Sequence, residues 1–233
     1  MEPIPTTITC HSLKSRSGLT LIFFCFITLL GHAQNSLVKK YLALGDSYTI
    51  GESVSENERW PNQLAKLLRK GTDKEVGTSI IATTGWRTDN LINAVLIANL
   101  KEDYDLVSLL IGVNNQYQGK PIEQYTVEFE VLLKTSIRLA KGKKENVFVV
   151  SIPDYGFTPF GLKNKEKISS AIDQFNEVSK RISNQYQIRY INITDISREG
   201  LNDVTLVAPD GLHPSGKMYA LWAQRIAKEI ASK

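Results

Sequence analysis

Cysteine is nearly absent from this 233-residue chain, and the positions of its two cysteines matter more than their number. Cys10 and Cys25 both lie within the first 33 residues. Residues 34–233 contain no thiol, which excludes disulfide bonds and a cysteine nucleophile from that part of the chain. If the first 33 residues are removed, the protein must therefore be stabilised by its hydrophobic core alone.

Histidine is also scarce. Of the three histidines, His11 and His32 lie in the same N-terminal segment, so His213 is the only imidazole in residues 34–233. One histidine, no cysteine and no spaced carboxylate cluster disfavour a metal centre, because such sites are mostly built from these ligands. Any mechanism that needs an imidazole must use His213.

A strong charge imbalance is missing too. The chain has 28 basic and 24 acidic residues, a formal net charge of +4. The densest basic stretch, residues 141–144, is short and interrupted by Gly142. This pattern indicates a solvated helix end rather than a nucleic-acid site, so no nucleic-acid partner is expected.

The N-terminal 33 residues have the pattern of a secretory signal peptide. Lys14 and Arg16 precede an apolar run, residues 19–30, which ends at Gly31-His32-Ala33. The run is shorter than the roughly 20 apolar residues of a membrane-spanning helix. We expect a secreted or periplasmic protein without stable membrane insertion after cleavage. An uncleaved N-terminal anchor is the alternative.

From residue 39 onward, strand-like and helix-like segments alternate without repeats or linkers, which predicts one domain over residues 34–233. Strands apolar on both faces and separated by helices predict a parallel sheet in a three-layer α/β/α sandwich. The predicted strands are residues 41–44, 79–82, 106–111, 147–152 and 188–193. The predicted helices are residues 60–68, 88–100, 122–140, 165–184 and 215–230. Functional groups are expected just after the strands.

Two segments carry residues suited to nucleophilic catalysis. Ser47 follows the first strand in Gly45-Asp46-Ser47, a combination that alone is typical of a turn. A serine hydroxyl needs a base, and His213 is the available imidazole. Asp210, three residues before His213, can accept the Nδ1 proton while Nε2 faces the serine.

Acyl transfer also requires donors for the oxygen that becomes negatively charged. Gly85, after the second strand, offers an unobstructed backbone N–H. Asn114, after the third strand, offers a side-chain amide. Either residue alone is typical of a strand-ending turn, but with Ser47 and His213 they supply each role that the reaction requires.

In this order, Gly45-Asp46-Ser47, Gly85, Gly112-x-Asn114 and Asp210-x-x-His213 resemble the signature blocks of the SGNH (GDSL-type) hydrolases. The resemblance implies a flavodoxin-like α/β/α fold and ester hydrolysis without a metal or organic cofactor. It assigns Ser47 as nucleophile, with Asp210 and His213 as its triad partners. It implies an oxyanion hole formed by the Ser47 and Gly85 backbone N–H groups and the Asn114 side chain.

One residue departs from the family pattern. The third block usually ends in aspartate, whereas Asn115 occupies that place here. We expect Asn115 to alter hydrogen bonding in the loop more than catalysis. The Gly-x-Ser-x-Gly elbow of ordinary α/β-hydrolases is absent around Ser47.

The substrate class is less sharply indicated than the reaction. Small-molecule, glycan and lipid esters all fit. The export signal and aromatic residues near strand ends favour carbohydrate esters over lysophospholipids or thioesters; these residues are Tyr48, Trp86, Tyr117, Tyr155, Phe157 and Phe160. A non-catalytic binding module on the same fold is the alternative from another class. A nucleotide binder is disfavoured because no glycine-rich phosphate loop follows the first strand.

Overall fold

The structure, a computed structural model, describes residues 40–69 and 75–232. These residues belong to one unit, Asn35–Lys233. The predicted signal peptide, with both cysteines, lies outside the described residues. Within the described part, no helix is both long and apolar enough to cross a membrane.

Five parallel strands form a single sheet in the order β2-β1-β3-β4-β5. This order is that of flavodoxin-like doubly wound sheets. It confirms the predicted five-stranded parallel sheet, and each predicted strand has its counterpart. The strands are β1 (Lys40–Gly45), β2 (Gly77–Ala82), β3 (Leu106–Leu110), β4 (Val147–Val150) and β5 (Arg189–Ile191).

Helices cover both faces of the sheet, as the three-layer prediction requires. The longer ones are close to the predicted segments, and short helices follow β1, β3 and β5. One face carries α2 packed against α8, while α3, α5 and α6 pack side by side on the other. The helices are α1 (Ser47–Ile50), α2 (Trp60–Leu68), α3 (Thr88–Ala98), α4 (Val113–Tyr117), α5 (Ile122–Leu139), α6 (Lys165–Gln185), α7 (Thr194–Ser197) and α8 (Gly216–Ala231).

Strand β1 lies within the hydrophobic core, between β2 and β3. Its residues from Tyr41 to Leu44 are completely buried, as expected for a strand covered by helices on both faces. The Tyr41 hydroxyl hydrogen-bonds the Ser108 hydroxyl on β3 at 2.8 Å, which satisfies a polar group inside the core. The loops that follow β1 and β3 therefore start from buried, hydrogen-bonded strands.

The carboxyl ends of three neighbouring strands are in register. Gly45 at the end of β1 pairs with Ala82 of β2 on one side and Leu110 of β3 on the other. Ser47, Gly85 and Asn114 come two, three and four residues after these paired positions. The sheet therefore directs all three residues to one edge.

Two glycines of the signature blocks are required by close packing. A Cβ atom on Gly45 would lie 2.1 Å from the Thr49 hydroxyl oxygen and 2.5 Å from the Leu110 carbonyl oxygen. Gly112 has φ 132°, and a Cβ atom there would lie 2.6 Å from the Tyr125 ring. Both positions exclude a side chain, which explains glycine beside Ser47 and Asn114.

Candidate active site

Ser47 is the first residue of the short helix α1, directly after β1. Asp46 caps this helix by accepting a hydrogen bond from the Tyr48 N–H at 3.0 Å. The N–H of a first helical residue has no acceptor within its own helix, so that of Ser47 is available for another partner. Ser47 is 5% exposed, so its hydroxyl lies at the base of the site rather than on the open surface.

Asp46 is a completely buried carboxyl group beside Ser47. Its Oδ2 atom has no hydrogen-bond partner among the described residues. Burial raises the pKa of Asp46 to about 7, although backbone N–H groups at Tyr48 and Gly112 oppose the shift. The folded protein therefore binds the Asp46 proton more tightly than the unfolded chain does.

Asp210 and His213 form the hydrogen bond predicted from their spacing. His213 Nδ1 lies 2.7 Å from Asp210 Oδ2. The backbone N–H groups of Leu212 and His213 both donate to Asp210 Oδ1 at 2.9 Å. Oδ1 of Asp210 thus accepts the backbone hydrogen bonds of the turn, while Oδ2 accepts a hydrogen bond from the imidazole. The second bond fixes the orientation of the His213 ring.

His213 lies beside the segment that carries Ser47. Its ring packs edge-on against Tyr48, the residue after Ser47, with centroids 5.8 Å apart. Among the hydrogen bonds of the described residues, none joins the Ser47 hydroxyl to His213. Catalytic hydrogen bonds are often long in ligand-free enzymes and shorten when substrate binds. The structure brings the two segments together without forming this final contact.

A residue that sequence reasoning missed also binds Asp210. The Ser53 hydroxyl donates to Asp210 Oδ2, the oxygen that contacts His213. Partial burial alone would raise the pKa of Asp210, but Ser53, Leu212 and His213 donate hydrogen bonds that hold this pKa well below its ordinary value. Asp210 is therefore a stable anion beside the imidazole.

Asn114 and Gly85 lie together, as their positions after β3 and β2 predict. Asn114, in α4, donates one side-chain hydrogen to the Trp86 carbonyl oxygen at 3.0 Å, which leaves its second amide hydrogen for another acceptor. The Gln118 amide also reaches the Gly85 carbonyl oxygen at 3.4 Å. These bonds hold the loops after β2 and β3 against each other.

Asn115 uses both ends of its amide to bind one residue. Its Oδ1 accepts from the Thr88 N–H at 3.0 Å, and its Nδ2 donates to the Thr88 hydroxyl at 2.6 Å. Thr88 in turn donates to Glu128. An aspartate at position 115 could accept from the Thr88 N–H but could not make the second donation. The effects of Asn115 on loop bonding and on catalysis, relative to an aspartate at this position, remain predictions.

Three of the predicted aromatic residues form a cluster, which we call the aromatic platform: Tyr117, Tyr155 and Phe160. Their ring centroids lie 6.2–6.3 Å apart. Tyr117 is 59% exposed and Phe160 52% exposed. Tyr155 lines the same small cavity as His213, and Phe160 N–H donates to the carbonyl oxygen of Gly211, beside Asp210.

The other aromatic candidates occupy different positions. Tyr48 is buried against His213 and Trp222. Phe157 lies under the cationic groups of Lys165 and Arg198. In the part of the chain that the structure describes, no group of three His, Cys, Asp or Glu side chains could hold a metal ion.

Comparison with known proteins identifies the family of this chain. The sequence model of the GDSL-like lipase/acylhydrolase family matches residues 43–221. The chain belongs to this family. An arylesterase of Vibrio mimicus is 25% identical to this GDSL-like protein over 214 residues, which cover 90% of this chain and 94% of the relative. The GDSL-like chain is accordingly a hydrolase of ester bonds.

Solved structures show the same fold for the GDSL-like chain. The lipase/acylhydrolase of Enterococcus faecalis is 20% identical, with a TM-score of 0.61 over 83% of this chain and 95% of its own. The acetylxylan esterase Axe2 of Geobacillus stearothermophilus is 19% identical, with a TM-score of 0.63 over 84% and 95%. At 19–20% identity, these structural similarities establish that the chain shares the fold of the two proteins.

Substitution of Asp46 tests the buried carboxyl group of this GDSL-like protein. The pKa of Asp46 is about 7 in the folded protein, whereas the ordinary value is 3.8. The stability that the neutral Asp46 carboxyl group gives the fold is therefore fully present below pH 4 and is lost as the pH rises through 7. Asp46→Asn removes this titration. We expect the free energy of unfolding of the wild type to fall relative to the variant by up to about 4 kcal/mol between pH 4 and pH 8.

Urea unfolding of both proteins at several pH values measures this difference. A gap between wild type and Asp46→Asn that does not change with pH would show that Asp46 ionises normally in the fold.

Proposed function

We propose that this protein is an exported serine esterase in which Ser47 is the nucleophile, His213 the general base and Asp210 the residue that orients His213. The observation that carries the proposal is the Asp210–His213 pair, with a 2.7 Å hydrogen bond, packed beside the segment of Ser47 through Tyr48. Residues 43–221 match the acylhydrolase family, so the chemistry and the candidate site agree.

The reaction proceeds through an acyl-enzyme. Ser47 Oγ forms a bond to the ester carbonyl carbon while His213 Nε2 takes the hydroxyl proton. Collapse of the tetrahedral intermediate breaks the bond to the alkoxy group, which leaves as the alcohol with the proton from His213. Water then attacks the acyl-enzyme with His213 again as base, and the acid is released.

Negative charge on the carbonyl oxygen is stabilised by three donors after three adjacent strands. These are the Ser47 N–H at the start of α1, the Gly85 N–H and the second amide hydrogen of Asn114. Because Asn114 is already bonded to Trp86, its amide is oriented before substrate arrives. Pre-oriented donors lower the barrier because they need not reorganise during the reaction.

Carbohydrate esters with short acyl groups are the substrate class that we favour. The aromatic platform offers exposed ring faces between the Asn114 loop and the Asp210–His213 turn, where the apolar face of a sugar ring could pack. The resemblance in fold to an acetylxylan esterase agrees with this choice. The arylesterase relative makes aryl esters the second candidate, because the same rings could stack on an aromatic alcohol.

Export is part of the proposal because of the N-terminal segment. A basic flank, an apolar run over residues 19–30 and a small-x-small site at Ala33 support secretion or transfer to the periplasm. Acetylated glycans outside the cell would be accessible to such an enzyme.

Turnover of p-nitrophenyl acetate tests the catalytic assignment. Both Ser47→Ala and His213→Ala should reduce kcat by at least about 10³-fold, because removing a triad member abolishes nucleophilic activation. Ser232→Ala, at an exposed serine near the C-terminus, serves as the control and should retain wild-type turnover.

Near-wild-type turnover by correctly folded Ser47→Ala or His213→Ala would overturn the assignment. A folded wild type that releases no p-nitrophenol would instead support the non-catalytic binding module.

Removal of the exposed platform rings tests the substrate class. Phe160→Ala and Tyr117→Ala should raise KM for acetylated xylo-oligosaccharides by about 3- to 10-fold, the worth of one ring contact. Ethyl acetate, whose alcohol has no ring, should be unaffected. Ile97→Ala, at an exposed residue near the C-terminal end of α3, is the control.

Three substrates separate the candidates in the same assay. Preference for acetylated sugar supports the carbohydrate esterase, whereas preference for phenyl acetate favours the arylesterase. Preference for long acyl chains, with no effect of the platform substitutions, would contradict both and favour a lipid esterase.

A further inference from the structure

Ser53 links the segment of the nucleophile to the acidic member of the proposed triad. Its hydroxyl donates to Asp210 Oδ2, a contact between residues 157 positions apart in the chain. We propose that Ser53 is a positioning residue for catalysis, which holds the Asp210–His213 turn against the Ser47 segment and shares the charge of Asp210. This inference rests on the proposed function of Ser47, Asp210 and His213.

The backbone at Ser53 is in a conformation that residues other than glycine seldom adopt. Its φ is 66°, in the left-handed region. Gly51, with φ 73°, ends α1, and the Glu52 N–H donates to the Ser47 carbonyl oxygen at 3.0 Å. This tight turn directly after α1 carries the Ser53 hydroxyl to Asp210. Unfavourable backbone conformations in folded proteins are concentrated at functional sites.

The donors around Asp210 show what Ser53 adds. Oδ1 accepts from the backbone N–H groups of Leu212 and His213, and Oδ2 accepts from the His213 ring. These three donors belong to the same turn as Asp210 and cannot fix its distance from Ser47. The Ser53 donor comes from the segment of the nucleophile, so it ties the two halves of the site together.

The Ser53 hydrogen bond also affects how strongly Asp210 stabilises a protonated His213. A carboxylate oxygen that accepts from both Ser53 and the imidazole shares its charge between two donors. Without the hydroxyl, more of that charge acts on the imidazolium that forms during the reaction. The acidic limb of the pH–rate profile should therefore shift to higher pH when Ser53 is replaced.

Other charged and titratable groups around His213 would stay in place. Asp154 and Tyr155 line the cavity that His213 borders, and Asp154 is ion-paired with Arg198. Tyr48 packs against the imidazole. Tyr219 lies within electrostatic range of Tyr48 and Asp210, and Asp46 and Glu52 lie within the same range of Tyr219. None of these side chains hydrogen-bonds Ser53 among the described contacts, so replacing Ser53 changes the surroundings of Asp210 alone.

Two variants separate the hydroxyl from the backbone conformation. Ser53→Ala removes the hydroxyl and keeps the unfavourable φ, whereas Ser53→Gly removes the hydroxyl and relieves the φ. Ser55→Ala is the matched control, since its hydroxyl donates to the carboxylate of Glu58 at 2.7 Å within the same segment and not to Asp210.

The measurement is kcat and KM for p-nitrophenyl acetate between pH 5 and pH 9. Both Ser53 variants should lower kcat by about 5- to 10-fold with little change in KM, as expected for the loss of one hydrogen bond of ordinary net strength. Both should move the acidic limb of the profile to higher pH, while Ser55→Ala should leave rate and profile unchanged.

A purely structural role for Ser53 predicts a different pattern. In that case Ser53→Gly would behave as wild type and neither variant would shift the acidic limb, which would overturn the inference. If this pattern is found while Ser47→Ala and His213→Ala are inactive in the same assay, only the role assigned to Ser53 is wrong. If those two variants remain active, the proposed triad itself is wrong.

Discussion

The pairing of β1 with β2 on one side and β3 on the other is the constraint on which the site depends. Because Gly45, Ala82 and Leu110 are paired in register, β1, β2 and β3 end at the same edge of the sheet. The order β2-β1-β3 also places β1 between the two strands that supply Gly85 and Asn114. Glycine is required at position 45 because of this close approach, since a Cβ atom there would lie 2.5 Å from the Leu110 carbonyl oxygen of β3.

Asp210 and His213 reach this edge by a separate route. Asp210 and His213 lie in a turn before α8, far along the chain from β1. The Ala208 N–H donates to the His213 carbonyl oxygen at 2.7 Å, and the Ser215 N–H to that of Leu206 at 2.8 Å, which closes the turn. Packing of His213 on Tyr48 and the hydrogen bond from Ser53 then bring the turn to the Ser47 segment. The sheet thus positions the proposed oxyanion donors, whereas side-chain contacts position the proposed triad.

Much of this arrangement could be predicted from the sequence because the signals are local. Alternating apolar segments indicated five parallel strands, and the three-residue spacing of Asp210 and His213 indicated their hydrogen bond. Scarcity of histidine left His213 as the one candidate base. The predicted strands 147–152 and 188–193 were too long, because the apolar run continues into the loops beyond β4 and β5.

Other features of the site could not be predicted because they depend on contacts between distant segments. No local pattern around Ser53 signals its bond to Asp210, which forms only after the whole sheet is assembled. The link from Asn115 through Thr88 to Glu128 spans three separate elements in the same way. The aromatic platform could not be predicted from the sequence either. Position after a strand does not distinguish the exposed rings of Tyr117 and Phe160 from the buried ring of Tyr48.

A fluorophosphonate probe tests the proposed role of Ser47 directly when the labelled site is mapped by mass spectrometry of the protein's peptides. This reagent bonds to a serine only where a base has activated the hydroxyl. We predict labelling at Ser47 in the wild-type protein and a large loss of labelling in His213→Ala. Labelling at a different serine, or no labelling of the folded protein, would contradict this prediction.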